Sequence, residues 1–177
     1  MLRIFELSHL YLIGIGSNQP HPVIGTPNRI IPQAVAALEM DDIDVFAHSA
    51  TIQSSPMGPS SRRFANAAAV VATELEPPAL LARLHDIESH FGRVRRGQSW
   101  RARVLDLDIL LWSGGMWAGS KPELSIPHPG LRSRSFVLTP AAMVAPDWRD
   151  PVSGLNIRHL QSRFNRAKAL DQSPHHH

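Results

Sequence analysis

A run of alternating apolar and acidic residues lies past the middle of this chain and reads Leu105-Asp106-Leu107-Asp108-Ile109-Leu110-Leu111. In a β-strand, residues i and i+2 point to the same face of the sheet. The pattern therefore predicts a strand over residues 104–112, with Asp106 and Asp108 together on one face. The opposite face is expected to project into the core and carries Leu105, Leu107, Ile109 and Leu111.

The two acids suggest a cation-binding site, because parallel carboxylates repel each other unless a cation lies between them. Oxygen ligands with no cysteine beside them suit Mg²⁺, which keeps several waters and often binds together with substrate phosphates. The alternative is a solvated strand face on which the acids are incidental. The pair alone leaves both interpretations open.

A cluster of cations precedes this strand. The chain has 16 Arg and 2 Lys among 177 residues, for a net charge of +3. Five of the arginines fall within eleven residues that contain no acid: Arg93, Arg95, Arg96, Arg101 and Arg103. The guanidinium group offers a planar fork of donors that suits phosphate. The cluster therefore indicates an anion site or a nucleic-acid patch. Beside paired acids, the arginines can either neutralise them structurally or join a metal ion in clamping a polyphosphate.

Composition narrows the class of protein. With no cysteine, the chain has no disulfide scaffold, thiolate metal site or thiol nucleophile. It is 43% hydrophobic and 19% charged, as globular proteins are, and no apolar stretch approaches the ~20 residues of a membrane helix. The amino-terminal residues do not read as a signal peptide. We expect a cytoplasmic, monomeric protein without a membrane partner, with one domain over residues 1–172. Residues 173–177 read as a disordered tail or the remainder of a purification tag.

The order of predicted elements indicates a fold class. Strands are predicted over 11–17, 43–54, 64–75 and 104–112, and helices over 29–39, 77–91, 133–144 and 155–166. A turn at Ser113-Gly114-Gly115 is expected to fold the last strand back into a hairpin. The chain is thus predicted to be α+β and ferredoxin-like: a βαββαβ antiparallel sheet with helices on one face, followed by a carboxy-terminal hairpin and a helical extension.

Several short motifs carry a family resemblance over about residues 11–148. In chain order they are Gly14-Ile15-Gly16-Ser17-Asn18, the 54–59 loop, Phe64-Ala65-Asn66-Ala67-Ala68, Glu88, Gly92-Arg93-Val94-Arg95, Trp100, residues 103–109, Ile126-Pro127-His128-Pro129 and Arg134-Ser135-Phe136-Val137-Leu138. In order and spacing they resemble 6-hydroxymethyl-7,8-dihydropterin pyrophosphokinase. The resemblance implies a ferredoxin-like transferase of folate biosynthesis that moves diphosphate from ATP to the hydroxymethyl pterin and releases AMP.

The resemblance also implies roles for individual residues. Asp106 and Asp108 match the ligands of two Mg²⁺ ions bound with ATP, and Arg93 and Arg103 match catalytic arginines that meet the phosphates. Residues implied to bind the nucleotide are Glu88, Arg95, His128 and Arg134. Residues implied to bind the pterin are Ser54, Pro56, Met57, Phe64, Asn66, Trp100 and Phe136, with Trp100 closing over the ring.

The chain departs from the family pattern at Ser55, Phe64, Ser99 and Pro129, and none of these is an implied metal ligand or catalytic arginine. Two other classes of function stay open at this point. One is a nucleic-acid-binding module, since the ferredoxin-like fold also underlies RNA-recognition domains. We expect no nucleic-acid partner, because the paired acids would repel a phosphate backbone in the absence of a metal. The other is a catalytically silent relative that binds a pterin or a nucleotide. Release of AMP from ATP, tested with and without pterin and Mg²⁺, distinguishes the enzyme from both alternatives. A salt-sensitive shift with RNA and no AMP release would favour the nucleic-acid-binding module.

Overall fold

A computed structural model describes residues 8–39, 42–55, 63–92 and 103–171 of the chain. In order, its elements are β1 (His9–Ser17), α1 (Pro27–Leu38), β2 (Asp44–His48), β3 (Ile52–Ser54), β4 (Phe64–Thr73), α2 (Pro77–His90), β5 (Asp106–Trp112), β6 (Trp117–Ser120), β7 (Glu123–Ile126), α3 (Ser135–Val144) and α4 (Ile157–Asp171). Within these ranges, no helix combines the length and the apolar character needed to cross a bilayer.

The first five strands form one antiparallel sheet. Its order is β2-β4-β1-β5, and β3 pairs with β4 next to β2. If β2 and β3 are counted as two parts of one strand, this is the predicted ferredoxin-like βαββαβ arrangement, which is confirmed.

The strand predicted over 43–54 is divided at Ser49. The Ser49 hydroxyl accepts a hydrogen bond from the Ala68 amide at 3.0 Å, and the Ser49 amide donates to the Ala68 carbonyl at 2.8 Å. A side chain therefore takes a place that a backbone carbonyl would hold in a regular ladder. The chain leaves the sheet there and resumes pairing with β4 at Ile52.

Both faces of the sheet are covered by helices. One apolar cluster lies between the sheet and helices α1 and α2, and includes Tyr11, Ile13 and Ile15 of β1. A second cluster lies between the other face and helices α3 and α4, and includes Leu12 of β1. The helical extension therefore covers part of the face that α1 and α2 leave bare, around Leu12, Ala68 and Leu110.

The expectation for Leu111 is right about its burial and wrong about the face of the sheet. Leu105, Leu107 and Ile109 pack into the α1–α2 cluster as predicted, whereas Leu111 packs with the α3–α4 cluster. The cause is a β-bulge: Leu12 pairs with Leu111 and Ile13 pairs with Ile109, so β5 contains one extra residue between them. A bulge interrupts the alternation of side chains, and every residue beyond it changes face.

The carboxy-terminal hairpin also differs from the prediction. Its strands are β6 and β7, which pair with each other in a separate two-stranded sheet, rather than β5 and the strand after it. The turn at 113–115 does form, with the Gly115 amide donating to the Trp112 carbonyl at 3.0 Å, but it ends in a single bridge. Helix α4 extends beyond the predicted end at residue 166, where the sequence Ala-Lys-Ala-Leu favours helix.

An ion pair between half-buried Arg132 and buried Asp150 joins the extension to the loop that precedes α3. The Arg132 guanidinium donates from Nε to Asp150 Oδ2 at 2.6 Å and from Nη2 to Oδ1 at 2.7 Å. Asp150 is fully buried and also accepts hydrogen bonds from Val152 and Ser153. Burial raises the pKa of Asp150, but the bonds from Arg132, Ser153 and Val152 outweigh that effect and lower the pKa to about 2.

This pKa predicts an acid-sensitive contribution to stability. Because the unfolded carboxyl binds its proton at a higher pH than the folded one, the contribution is complete above about pH 4 and is lost as the pH falls toward 2. Asp150→Asn should be less stable at pH 7 and should lack this part of the pH dependence, a difference of at most about 1.4 kcal/mol per pH unit. Urea unfolding between pH 7 and 3 measures it.

The control for this experiment is Asp147→Asn, which removes an exposed carboxylate that pairs with Arg158 at 3.1 Å. Its free energy of unfolding should follow that of the wild type at every pH. Parallel curves for Asp150→Asn and the wild type would contradict the assignment.

Candidate active site

A cavity of about 510 Å³ opens on the α3 side of the sheet, beyond the end of the α3–α4 cluster. Two rows of paired residues cross its floor. Gly16 of β1 lies between Asn66 of β4 and Asp106 of β5, and Gly14 lies in the next row beside Asp108. Because Gly16 has no side chain, the polar groups on both of its sides remain accessible from the cavity. Gly14 instead leaves room for Leu110, whose side chain would lie 3.3 Å from a Cβ at residue 14.

The predicted shared face of Asp106 and Asp108 is confirmed, since both line the cavity. Arg103 enters the same space and donates from Nη1 to Asp106 Oδ2 at 2.6 Å. In this structure the guanidinium therefore offsets part of the repulsion between the two carboxylates.

Asn18 fixes the backbone of Arg103. Its side-chain Oδ1 accepts a hydrogen bond from the Arg103 backbone amide at 2.6 Å, and its backbone amide donates to the Arg103 carbonyl at 3.0 Å. Asn18 is buried, so these bonds form in a region of low dielectric and hold Arg103 firmly. The signal for Asn18 in the sequence is the short Gly16-Ser17-Asn18 turn, which does not by itself indicate this role.

Glu88 lies behind the acid pair rather than in the cavity. Its side chain is 1% exposed, on the α2 side of the sheet, and its Oε1 accepts from the Leu107 amide at 2.8 Å. Leu107 stands between the two aspartates in sequence. Glu88 therefore supports the strand that carries the two aspartates. It is not among the described residues that line the cavity.

His128 forms part of the wall beside Asp108. Its Nδ1 accepts from the Gly130 amide at 2.9 Å, so the neutral ring carries its proton on Nε2. That nitrogen lies 3.9 Å from Asp108 Oδ1. The His128 amide also donates to the Leu110 carbonyl at 3.0 Å, which attaches the wall to β5.

The far end of the cavity is aromatic. The rings of Phe64 and Phe136 are nearly parallel, with centroids 6.5 Å apart and an angle of 18° between planes. The Arg134 guanidinium lies over the Phe136 ring, 5.9 Å from its centroid. On the floor nearby, Asn66 Nδ2 donates to Ser54 Oγ at 3.0 Å. This bond orients the amide and leaves Asn66 Oδ1 on the side of Gly16.

The structure thus brings together most of the predicted site residues that it describes. Those lining the cavity are Phe64, Asn66, Arg103, Asp106, Asp108, His128, Arg134 and Phe136. Ser54 joins them through Asn66 and lines an adjacent pocket. Of the other predicted residues, Glu88 is described but does not line the cavity, and Pro56, Met57, Arg93, Arg95 and Trp100 lie outside the described residues.

The acid pair fits a metal that receives its other ligands from elsewhere. Within the described ranges, no three His, Asp or Glu side chains cluster as a complete metal site. Two carboxylates on an open floor suit Mg²⁺, which retains waters and binds substrate phosphates, better than a metal that needs a closed set of protein ligands.

Comparison with known proteins gives one family. The family model described as 7,8-dihydro-6-hydroxymethylpterin-pyrophosphokinase (HPPK) matches residues 12–146. This chain belongs to that family.

Three relatives named 2-amino-4-hydroxy-6-hydroxymethyldihydropteridine pyrophosphokinase show the similarity over most of both chains. The protein of Synechocystis sp. is 36% identical over 86% of this chain and 74% of its own length. That of Pseudomonas aeruginosa is 39% identical over 78% and 82%, and that of Haemophilus influenzae 34% identical over 92% and 97%.

A solved structure of Plasmodium falciparum HPPK-DHPS, with pterin and p-hydroxybenzoate, matches with a TM-score of 0.71 at 14% sequence identity. It covers 94% of this chain, and this chain spans 43% of that longer one. A similar structure of the wild-type protein with pteroate has a TM-score of 0.67. At such low identity, these matches support the fold.

The lack of a side chain at Gly16 can be tested by substitution. A Cβ at Gly16 would lie 3.5 Å from Asn66 Oδ1, an ordinary contact, so Gly16→Ala should fold with unchanged or slightly higher stability. The methyl group would nevertheless occupy the floor between Asn66 and Asp106. We expect roughly tenfold weaker binding of the hydroxymethyl pterin in the presence of a magnesium nucleotide, because steric overpacking costs about 1–3 kcal/mol.

Calorimetric titration measures this affinity, and thermal unfolding of the same preparation is the control for folding. Pterin binding of wild-type strength in a correctly folded Gly16→Ala variant would show that the ligand does not rest on this floor.

Proposed function

We propose that this chain transfers the terminal diphosphate of ATP to 6-hydroxymethyl-7,8-dihydropterin, giving the pterin diphosphate and AMP, and that the reaction depends on Mg²⁺. The observation that carries the proposal is the division of one cavity into two chemically different ends. Carboxylates and cations lie at one end, and two parallel aromatic rings with an oriented amide lie at the other.

The aromatic end suits a flat heterocycle. A planar ring needs about 7 Å between two flanking rings, since carbon atoms in contact are roughly 3.5 Å apart. The centroids of Phe64 and Phe136 are 6.5 Å apart, so a small movement admits a pterin between them. Asn66 Oδ1 would then accept from the amino or ring N–H groups of the pterin, because Ser54 already holds the amide nitrogen.

The charged end suits the phosphates. Arg103 and His128 lie there beside the two acids, and Arg134 lines the same cavity from its position over the Phe136 ring. All three side chains can donate to phosphate oxygens. Asp106 and Asp108 would hold two Mg²⁺ ions bound with ATP. When bound, these ions would neutralise phosphate charge and lower the pKa of the pterin hydroxyl.

In the proposed reaction, the hydroxymethyl oxygen attacks the β-phosphorus in line with the leaving group. The new bond joins that oxygen to the β-phosphorus, and the hydroxyl proton is released to solvent. The bond from the β-phosphorus to the oxygen that bridges it to the α-phosphorus breaks, and AMP leaves with that bridging oxygen. Such transfers depend on positioning and charge stabilisation. The contact between Arg103 and Asp106 therefore marks a resting arrangement, from which Arg103 moves onto the phosphates when the magnesium nucleotide binds.

The decisive assay is AMP formation from ATP. AMP should appear only when the hydroxymethyl pterin and Mg²⁺ are both present. ATP consumption without AMP, or no turnover with both substrates and Mg²⁺, would contradict the proposal. A catalytically silent binder would bind both ligands in calorimetry without releasing AMP.

The acid pair predicts a strict requirement for the metal. Asp106→Asn and Asp108→Asn should each reduce turnover by about a hundredfold or more while the fold is retained, because each substitution removes a ligand and also relieves repulsion between the acids. AMP release at saturating Mg²⁺ measures the effect. The matched control is Asp147→Asn, which removes a carboxylate from the exposed surface. Near wild-type turnover in Asp108→Asn, or in chelator, would rule out the metal assignment.

The two ends of the cavity should respond differently to mutation. Loss of a donor to developing phosphate charge costs on the order of 3 kcal/mol in the transition state, so Arg103→Ala should lower kcat by about a hundredfold with little change in pterin KM. Asn66→Ala should chiefly raise the pterin KM, because it removes a bond made already in the ground state.

Steady-state kinetics with each substrate varied separates these effects. Arg158→Ala, which removes an exposed arginine, is the control for the charge change. The opposite pattern, with Arg103→Ala acting on KM alone and Asn66→Ala on kcat alone, would reverse the two roles.

A further inference from the structure

Residues 128–134 form a wall of the cavity that is attached to the rest of the protein through its middle residues. His128 and Arg134, at its two ends, line the cavity. Between them, Leu131 is fully buried in the α3–α4 cluster, and Arg132 forms the bidentate pair with Asp150. The two ends therefore face the substrate, and the middle is fixed from behind.

Asp150 is a rigid anchor for this segment. Its carboxylate is fully buried, and each oxygen accepts from Arg132 and from a second group, Val152 at Oδ1 and Ser153 at Oδ2. The turn that contains it is closed by the Asp150 amide donating to the Leu155 carbonyl at 2.9 Å and the Gly154 amide donating to the Asp150 carbonyl at 2.8 Å. The anchor can therefore move only together with the segment that leads into α4.

Gly130 transmits this fixed position to both cavity residues. Its amide donates to His128 Nδ1 at 2.9 Å and so sets the ring orientation. It also leaves room for Arg134, because a Cβ at residue 130 would lie 2.9 Å from Arg134 Nε. A displacement of the backbone at 130–132 would therefore change the positions of the His128 ring and the Arg134 guanidinium together.

We propose that Asp150 is a positioning residue for the nucleotide side of the cavity, and that through Arg132 it fixes the 128–134 wall so that His128 and Arg134 meet the phosphates. The inference rests on the proposed function, because that function assigns this wall to ATP. Asp150 lies beyond residue 146, where the match to the family model ends. The turn after α3 thus contributes to a cavity whose described lining residues lie within the matched region.

Kinetics with each substrate varied test the proposal. Arg132→Gln should raise the KM for magnesium ATP about tenfold and leave the pterin KM within twofold of wild type. Arg132→Lys, which keeps the charge but not the bidentate fork, should restore part of that loss. If Arg132→Gln changes both KM values equally or neither, the positioning role is excluded.

A double-mutant comparison identifies the partner. If Asp150 acts through Arg132, then Asp150→Asn combined with Arg132→Gln should raise the KM for magnesium ATP no more than Arg132→Gln alone. Multiplied effects on KM would show that the two residues act separately and would overturn the proposal.

The matched control is Arg83→Gln. Arg83 also uses Nε and Nη2 to bind one carboxylate, that of Asp42, at 3.0 and 2.7 Å, but away from the cavity. It should lower stability without a selective change in the KM for ATP. A selective rise in Arg83→Gln equal to that in Arg132→Gln would show that general loss of stability is the cause.

Hydrogen–deuterium exchange tests the proposal without an activity assay. It also does not depend on whether an Asp150 variant folds. In Arg132→Gln, amides of residues 128–134 should exchange at least tenfold faster, with α1 and α2 unchanged. Uniform acceleration or none would overturn the proposal.

Gly130→Ala should raise the KM for ATP without changing exchange in the core, since only the flexible Arg134 side chain must move. A wild-type KM for ATP in this variant would likewise contradict the proposal. If the wild type releases no AMP, the proposed function fails while exchange still tests the attachment of the wall.

Discussion

The pairing register of β1 determines both the core and the cavity. On one face its residues Tyr11, Ile13 and Ile15 are buried beneath α1 and α2, and on the other Gly14 and Gly16 form the floor beside Asp108 and Asp106. A shift of one residue would exchange these faces and would place isoleucines among the carboxylates. Burial of three large apolar side chains thus holds the two glycines opposite the acids.

Contacts on β5 and beside it also hold the two like charges of Asp106 and Asp108 next to each other. The strand that carries the acids is held by apolar packing of Leu107 and by the Glu88 carboxylate, which accepts the Leu107 amide from the opposite side. Asn18 holds the Arg103 backbone, so a cation is available beside Asp106. Because Leu107 and Glu88 support the strand from outside the cavity, the carboxylates remain accessible to metal and phosphate.

Local periodicity was enough to predict the shared face of Asp106 and Asp108, and the order of elements was enough to predict the sheet. The face of Leu111 was not predictable in this way, because the bulge arises from pairing with β1 and leaves no mark in the alternating run. The interruption at Ser49 likewise depends on a bond to Ala68 on another strand. Asp150 and Arg132 are 18 residues apart and belong to no common motif, so the resemblance that located the cavity residues could not reveal their support.

The extension after the ferredoxin-like core contributes more than cover for a second face. The core supplies a floor and one charged edge, but a flat sheet cannot surround a substrate. The chain after β7 returns across this face, contributes His128 and Arg134 to the cavity, and then packs α3 and α4 on the remaining apolar surface. Had those helices extended further along the sheet, they would have filled the space above Gly14 and Gly16. A partly covered face is therefore required for a cavity here, and the place where the cover ends must be fixed by contacts as firm as those of the core.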